Sequence, residues 1–264
     1  MSFPENEHTP IEPVSEYYAA VDRGLSVVRA SSVAVVCLAR DLGIQADRGA
    51  AIVESIASLF ATWSAFVVEN DSRDDTRSRL FAWRDRSAQV VVDGSNPGHR
   101  KWPSVRDGNR GAQLAGYRNT CLDHVRGLGV RPDYVIVIDL DLAGVSTEGV
   151  LHTLGSPGWD VVGSNGLQPV KSGWAQYDAW AWRDLGHPHG HHHTEINSRV
   201  FSRNQPLISV LSCFGGMAIY RGEAFAAGRY GGGDCEHVIF HKSLIQAGFS
   251  RIFCNPSQIA RYDR

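Results

Sequence analysis

The sequence predicts an α/β fold, a single domain built on a mixed, mostly parallel sheet flanked by helices. Three observations carry this. Short β-branched runs alternate with helical stretches over the first two thirds of the 264 residues, the pattern of βα units. Tyr134-Val-Ile-Val-Ile138 is apolar throughout, as in a parallel strand covered on both faces. The length suits one large domain, and no linker or internal repeat divides it.

The elements follow in chain order. Met1 to Pro13 is polar, acidic and Pro-containing, so a loose arm is expected over residues 1–15, with the domain over 16–264. Ser32 to Leu38 reads as a buried strand. A helix is expected from about Ala46 to Thr62, with Ile52, Ile56 and Leu59 on one face. Ala65 to Val68 is the next strand, Thr76 to Arg84 a helix, and Ala88 to Val92 a third strand. Gly108 to Val125 reads as a helix leading into Tyr134 to Ile138. Beyond Asp141 the pattern changes. Trp159 to Val162 reads as a strand, Tyr177 to Arg183 as aromatic and extended, and Asp184 to Pro206 as a His-rich loop. Leu207 to Tyr220 reads as a strand interrupted at Gly215-Gly216. Glu236 to Ala247 is expected to be helical, and Arg251 to Cys254 a closing strand.

Composition removes several function classes. The formal net charge is −2, from 26 Lys and Arg against 28 Asp and Glu. A general nucleic-acid or membrane-surface binder needs a basic excess. No apolar run reaches the ~18 residues of a membrane span, and the N-terminus lacks the pattern of a secretory signal. The five cysteines are scattered and form no CxxC pair. They predict reduced, mostly buried thiols in a cytoplasmic protein, with no structural zinc.

The chemistry centres on Asp139-Leu140-Asp141. Two carboxylates close a buried strand, where open α/β sheets bind ligands. Residues two apart on a strand point the same way, so both can converge on one hard cation, Mg²⁺ or Mn²⁺. The alternative is a pair of strand-end carboxylates facing water. Glu69-Asn70-Asp71-Ser72 follows a strand and opens a helix; its side chains can cap that helix, and a carboxylate there can hold a ribose or base. Arg40, just after the first strand, is a further candidate donor contact. Arg118 can offer a planar guanidinium to a phosphate, or be a surface arginine.

Glu236, with Asp234 second, is the candidate general base. Both follow the flexible Gly231-Gly-Gly233 stretch at a helix start, where the first-turn dipole favours an ionised carboxylate; ordinary capping is the competing reading. His237 and His241 stand one turn apart; His237 is a candidate metal ligand, and His241 reads as part of a polar helix face. Gly215 and Gly216 can allow close backbone approach to a sugar or form a bulge. Tyr177, Trp180 and Trp182 can stack on a sugar or fill the core.

Taken in order, these blocks resemble GT-A glycosyltransferases. More narrowly they resemble the cryptococcal-type α-1,3-mannosyltransferase family and its bacterial and phage relatives. The quoted blocks are Glu69-Asn-Asp-Ser-Arg-Asp-Asp75-Thr76, Arg118-Asn119, Asp139-Leu-Asp141, Asn165-Gly166, Tyr177-Asp178, Ser212-Cys-Phe-Gly-Gly216 with Tyr220, Cys235-Glu-His237 and Asn255-Pro256. The resemblance spans roughly Val33 to Pro256. It implies a GT-A, Rossmann-like fold, a nucleoside-diphosphate-sugar donor and a Mn²⁺ or Mg²⁺ ion. It places Asp139 and Asp141 on the metal and diphosphate, Glu69, Asn70 and Asp71 near the nucleoside, and Arg118 and Asn119 near the donor. It places Asn165, Tyr177, Asp178, Gly215 and Gly216 on the acceptor side. Residues 30–142 would face the nucleotide and 143–264 the acceptor. The His187–His193 insert has no counterpart in that pattern, which leaves sugar and acceptor open among glycan, protein hydroxyl and modified DNA base.

Other readings compete. A sugar-phosphate nucleotidyltransferase would need a Gly-rich phosphate loop after the first strand, and Leu38-Ala-Arg40-Asp41 is not one. A silent nucleotide-sugar-binding module is at odds with the retained Asp139, Asp141 and Glu236. A glycosidase would need two facing carboxylates and no nucleotide.

Overall fold

The computed structural model describes residues 9–103, 106–171, 173–190, 193–199 and 201–263. The chain runs α1 (Val14–Val28), β1 (Ser32–Ala39), α2 (Gln45–Ala57), β2 (Thr62–Glu69), α3 (Thr76–Arg86), β3 (Val90–Asp93), α4 (Gly108–Arg126) and β4 (Tyr134–Asp139). It continues β5 (Gly144–Val145), α5 (Thr147–Gly155), β6 (Val161–Val170), β7 (Gly173–Gln176), α6 (His193–Asn197), β8 (Ile208–Ser209), β9 (Met217–Arg221), α7 (Gly222–Ala227), α8 (Glu236–Gln246) and β10 (Ile252–Arg261).

The strands form one mixed sheet in the order β3-β2-β1-β4-β9-β6-β10-β5, with β7 beside β6 and β8 beside β10. β3, β2, β1 and β4 are mutually parallel, β9 runs against β4 and β6, and β6 and β10 are parallel again. Alternation along each strand splits the core into two layers. Ile136 and Ile138 of β4 join Val53 and Ile56 of α2 and Leu80 of α3 on one face. Val135 and Val137 join Leu122 of α4 and Phe240 of α8 on the other. Both faces are covered, so these strands carry no polar stripe. The register pairs Ala39 with Glu69 and Leu38 with Asp139. β1, β2 and β4 therefore end level, and their carboxyl ends share one opening.

The expected α/β sheet flanked by helices is the observed one, with several local differences. The helix expected to Thr62 stops at Ala57, because Thr62 already pairs with Ser32 as the first residue of β2. Tyr177 to Arg183 is a turn rather than an extended run: Ala181 donates its amide to the Asp178 carbonyl (3.1 Å), and Asp178 takes a left-handed φ of 72°. Leu207 to Tyr220 holds two strands, β8 and β9, separated by Gly215 and Gly216 with φ of 62° and 88°. The His-rich loop contains α6; His191 and His192 lie outside the described residues, and His187 pairs with Asp184 at 3.1 Å. Residues 1–8 of the expected arm also lie outside them. Ile11 donates its amide to the Arg203 carbonyl (3.0 Å), and α1 begins at Val14, so the chain is tied down from there. All five cysteines are free and buried. Among the described residues no helix is long and apolar enough to cross a membrane.

Candidate active site

Two adjoining cavities open at the carboxyl ends of β1 and β4. The larger, 640 Å³, is lined by Arg118, Asp139, Tyr177, Asp178, Glu236 and His237, among others. The smaller, 400 Å³, is lined by Arg40, Asn70, Trp102, Tyr117 and Asp141, among others. Leu38, Arg110, Leu114 and Asp139 belong to both walls. The last residue of β4 therefore stands where the two halves of the cleft meet.

Asp139 is held on both sides. Its Oδ1 accepts from Arg118 Nη2 (3.0 Å) and its Oδ2 from the Tyr262 hydroxyl (2.9 Å). Arg118 is 3% exposed, and its Nε lies 3.9 Å from a Glu236 oxygen. Its Nε and Nη1 have no hydrogen-bond partner. Glu236, in the first turn of α8, is 4% exposed. Burial raises its pKa, and Arg118 opposes that rise. Asp178 projects from the turn after β7, its carboxylate accepting from the Gly215 amide (3.1 Å). Burial is the main cause that pushes its pKa up to about 7, with Asp139 and Glu236 acting in the same sense. His237 stacks on Phe214 with centroids 3.8 Å apart; neither ring nitrogen has a hydrogen-bond partner, and its Nε2 stands 3.5 Å from a Glu236 oxygen. Burial, with Arg118 nearby, holds it well below the usual imidazole pKa and therefore neutral.

The smaller cavity has a different character. Asn70 is 3% exposed, and its side-chain Nδ2 lacks a partner. Arg40 Nη2 donates to the His99 carbonyl (3.0 Å). The Tyr117 hydroxyl meets His99 Nδ1 at 2.8 Å, and Trp102 Nε1 donates to Gln113 (3.0 Å). An unsatisfied buried amide beside two aromatic side chains suits a flat, hydrogen-bonding ligand.

By sequence, no protein-family model and no curated protein matches the chain. Solved structures do. A mannosyltransferase from Pyrobaculum calidifontis, in complex with GDP-Man and Mn²⁺, is 13% identical with a TM-score of 0.55, over 94% of this chain and 64% of that one. GalNAc-T7 with UDP, GalNAc and Mn²⁺ is 11% identical with a TM-score of 0.56, over 89% and 44%. Glucosyl-3-phosphoglycerate synthase from Mycobacterium tuberculosis, with Mn²⁺, UDP and phosphoglyceric acid, is 16% identical with a TM-score of 0.51, over 97% and 77%. The fold is GT-A. The chain thus spans less than two thirds of the first two of these neighbours.

Within this GT-A frame the structure gathers Asp139, Arg118, Glu236, His237, Tyr177 and Asp178 at one cavity, and Arg40, Asn70, Asp139 and Asp141 at the other. Other residues singled out by sequence stand away from both. Glu69 is wholly buried, accepting from the Ser72 amide (3.0 Å) and from Arg77. Asp71 accepts from the amides of Gly98 (2.9 Å) and His99 (3.0 Å) and anchors the loop that carries Trp102. Asn119 bonds both backbone groups of Tyr230 at 3.1 Å. Asp234 is consumed in a two-oxygen pairing with Arg183, each at 2.9 Å. Asn165 donates to the Pro256 carbonyl (3.3 Å). A Cβ on Gly215 would stand 2.2 Å from the Ser164 carbonyl oxygen, and one on Gly216 would stand 2.6 Å from the Tyr262 hydroxyl. The close approach these glycines allow is to β6 and Tyr262. His241 is a core residue, bonded to Tyr220 (3.0 Å) and Ser212 (2.9 Å), not part of a polar face. Trp180 lines the larger cavity, whereas Trp182 is core at 2% exposed.

Asp141 reaches the smaller cavity from a turn beyond β4, so strand alternation is not what brings it beside Asp139. Among the described residues no three His, Cys, Asp or Glu side chains converge as a metal cage. Asp139 and Asp141, two carboxylates that line the smaller cavity together, still fit Mg²⁺ or Mn²⁺, which takes most of its shell from water and substrate phosphates. Residues that sequence reasoning missed are Arg110, Trp102 and Tyr262. The four-residue spacing of Arg110, Leu114 and Arg118 puts them on one helix face, a signal that was present.

Proposed function

We propose that this protein is a metal-assisted glycosyltransferase that moves a hexosyl group from a nucleoside-diphosphate sugar to an acceptor hydroxyl. The observation that carries the reading is Asp139 in the common wall of two cavities, one suited to a nucleoside and the other holding carboxylates in reach of an acceptor. The GT-A fold adds support, and the ordered sequence blocks favour a place near the cryptococcal-type mannosyltransferases. Five free, buried thiols fit a reducing, cytoplasmic setting.

Asn70 and Arg40 hold the nucleoside. Asp139 and Asp141 would hold Mn²⁺ or Mg²⁺ together with the donor diphosphate, and His237 lines the larger cavity, which Asp139 shares. When bound, such an ion neutralises charge on the leaving diphosphate. Tyr177 and Asp178 orient the acceptor. Glu236 takes the acceptor proton in an inverting transfer. The acceptor oxygen bonds to the anomeric carbon, and the anomeric C–O bond breaks with its electron pair going to the β-phosphate oxygen. Arg118 stands beside both Asp139 and Glu236, and its charge opposes the rise that burial gives the Glu236 pKa. Glu69, Asp71, Asn119, Asn165, Asp234, Gly215 and Gly216 shape the site from behind. A glycan, a protein hydroxyl or a modified DNA base can supply the accepting oxygen.

Donor hydrolysis measured with and without Mn²⁺ tests this reading. Wild-type protein should release nucleoside diphosphate in a Mn²⁺-dependent way, and Asp141→Ala should lose at least about 100-fold of that rate while remaining folded, the size of effect seen when a group stabilising transition-state charge is removed. A folded Asp141→Ala with wild-type rate would remove the metal site from the account.

A further inference from the structure

We infer that Arg110 is the clamp for the donor diphosphate, a phosphate subsite in the wall between the two cavities; this rests on the glycosyltransferase reading above. The diphosphate is the part of the donor that links nucleoside to sugar, so it must cross the junction of the cleft. Leu38, Leu114, Asp139 and Arg110 are the residues that line both sides, and Arg110 is the cation among them. Its position is fixed from two directions. It sits in the first turn of α4, where the Asp107 side chain accepts from the amides of Asn109 and Arg110. Its guanidinium carbon stands 5.1 Å from the centroid of the Trp180 ring, a cation–π contact that restrains the side chain.

Arg110 and Arg118 divide the work on one helix face. Arg118 is deep and paired with Asp139 at 3.0 Å. Arg110 lies eight residues earlier, nearer solvent. A guanidinium presents paired donors to phosphate oxygens. Placed here, it grips the β-phosphate in the bound donor and in the departing nucleoside diphosphate. Trp180 is the positioning residue behind it.

The test compares nucleotides that differ by one phosphate. Affinities of UDP, GDP and TDP, and of UMP, GMP and TMP, are measured by calorimetry on wild-type, Arg110→Ala and Arg110→Lys protein, with Mn²⁺ and with EDTA. For the base that binds wild-type protein, Arg110→Ala should reduce the diphosphate-to-monophosphate affinity ratio at least about tenfold in both media. Monophosphate binding should stay within about twofold, since the lost contact is one charge-assisted pair. Arg110→Lys, which keeps the charge without the fork, should fall between. An unchanged ratio in Arg110→Ala, or equal loss for both nucleotides, overturns the clamp. A lysine variant no better than alanine overturns it as well. If wild-type protein binds none of the three diphosphates, the functional reading itself fails. If it binds them and the ratio ignores Arg110, only this inference fails.

Discussion

Glu236 and Asp178 are two carboxylates in one cavity with different surroundings, and that difference assigns their work. Glu236 is enclosed and faces Arg118; Asp178 is held by the backbone amides of Gly215 and Ala181. Glu236→Gln keeps shape and removes the base, so it should retain donor binding while lowering transfer at least about 100-fold; wild-type turnover would exclude it as the base. Asp178 makes a separate prediction. Its folded pKa, about 7, lies above the unfolded value of about 3.9. The stabilisation from its proton is complete below the unfolded value and is lost as pH rises through the folded one. Asp178→Asn should therefore gain stability relative to wild type between pH 5 and pH 8, by roughly 1–2 kcal/mol once solvent screening in the open cleft is allowed for. Metal-free denaturation curves at the two pH values measure it; a constant difference would contradict the shifted titration. Asp139 and Glu236 were legible as cavity residues because one closes a strand and the other opens a helix, and Arg118 because it lies on the helix that leads into the carboxylate strand. Glu69 and Asp234 looked equivalent to them in sequence. Their partners, Arg77 and Arg183, come from a later helix and a distant turn, and no local spacing announces those pairings.

Among the elements, β1, β2 and β4 were legible as apolar, β-branched runs, and α3, α4 and α8 as the stretches between such runs, although their own apolar periodicity is weak. α1 and α5 were not. Beside apolar residues such as Val28 and Val150, they meet at glycines: a Cβ on Gly24 would lie 1.9 Å from the Leu151 carbonyl oxygen, and one on Gly155 would lie 1.9 Å from that of Ala20. Glycine that is buried for close approach carries no hydrophobic signal. Gly155→Ala should cost about 1–3 kcal/mol through overpacking, read as a fall of several degrees in Tm. Unchanged stability would show that the α1–α5 contact is looser than this. β10 was expected to end at Cys254 and runs to Arg261. Its buried Asn255 and Gln258 look like loop residues in sequence. In the fold they bond Thr153 at 2.8 and 2.6 Å and Ser164 at 2.9 Å, which satisfies them inside the sheet.

On the scale of the whole molecule, the smaller cavity, proposed for the nucleoside, opens at the ends of the parallel strands β1, β2 and β4. The mixed half, with α8 and the turn after β7, supplies most of the wall of the other. Asp139 joins them because β4 lies beside β1 where the strand order β3-β2-β1-β4 reverses, the switch point of an open sheet at which ligands bind. This division makes donor binding the central claim, and a thermal-shift panel tests it most directly: UDP-, GDP- and TDP-sugars, each with and without Mn²⁺, on the wild-type chain. A ligand that binds only the folded state must raise the apparent Tm. The account predicts a rise with the sugars of one base, larger with Mn²⁺ and absent with Mn²⁺ alone. No shift with any of them, while a known donor-binding protein responds under the same conditions, would contradict it.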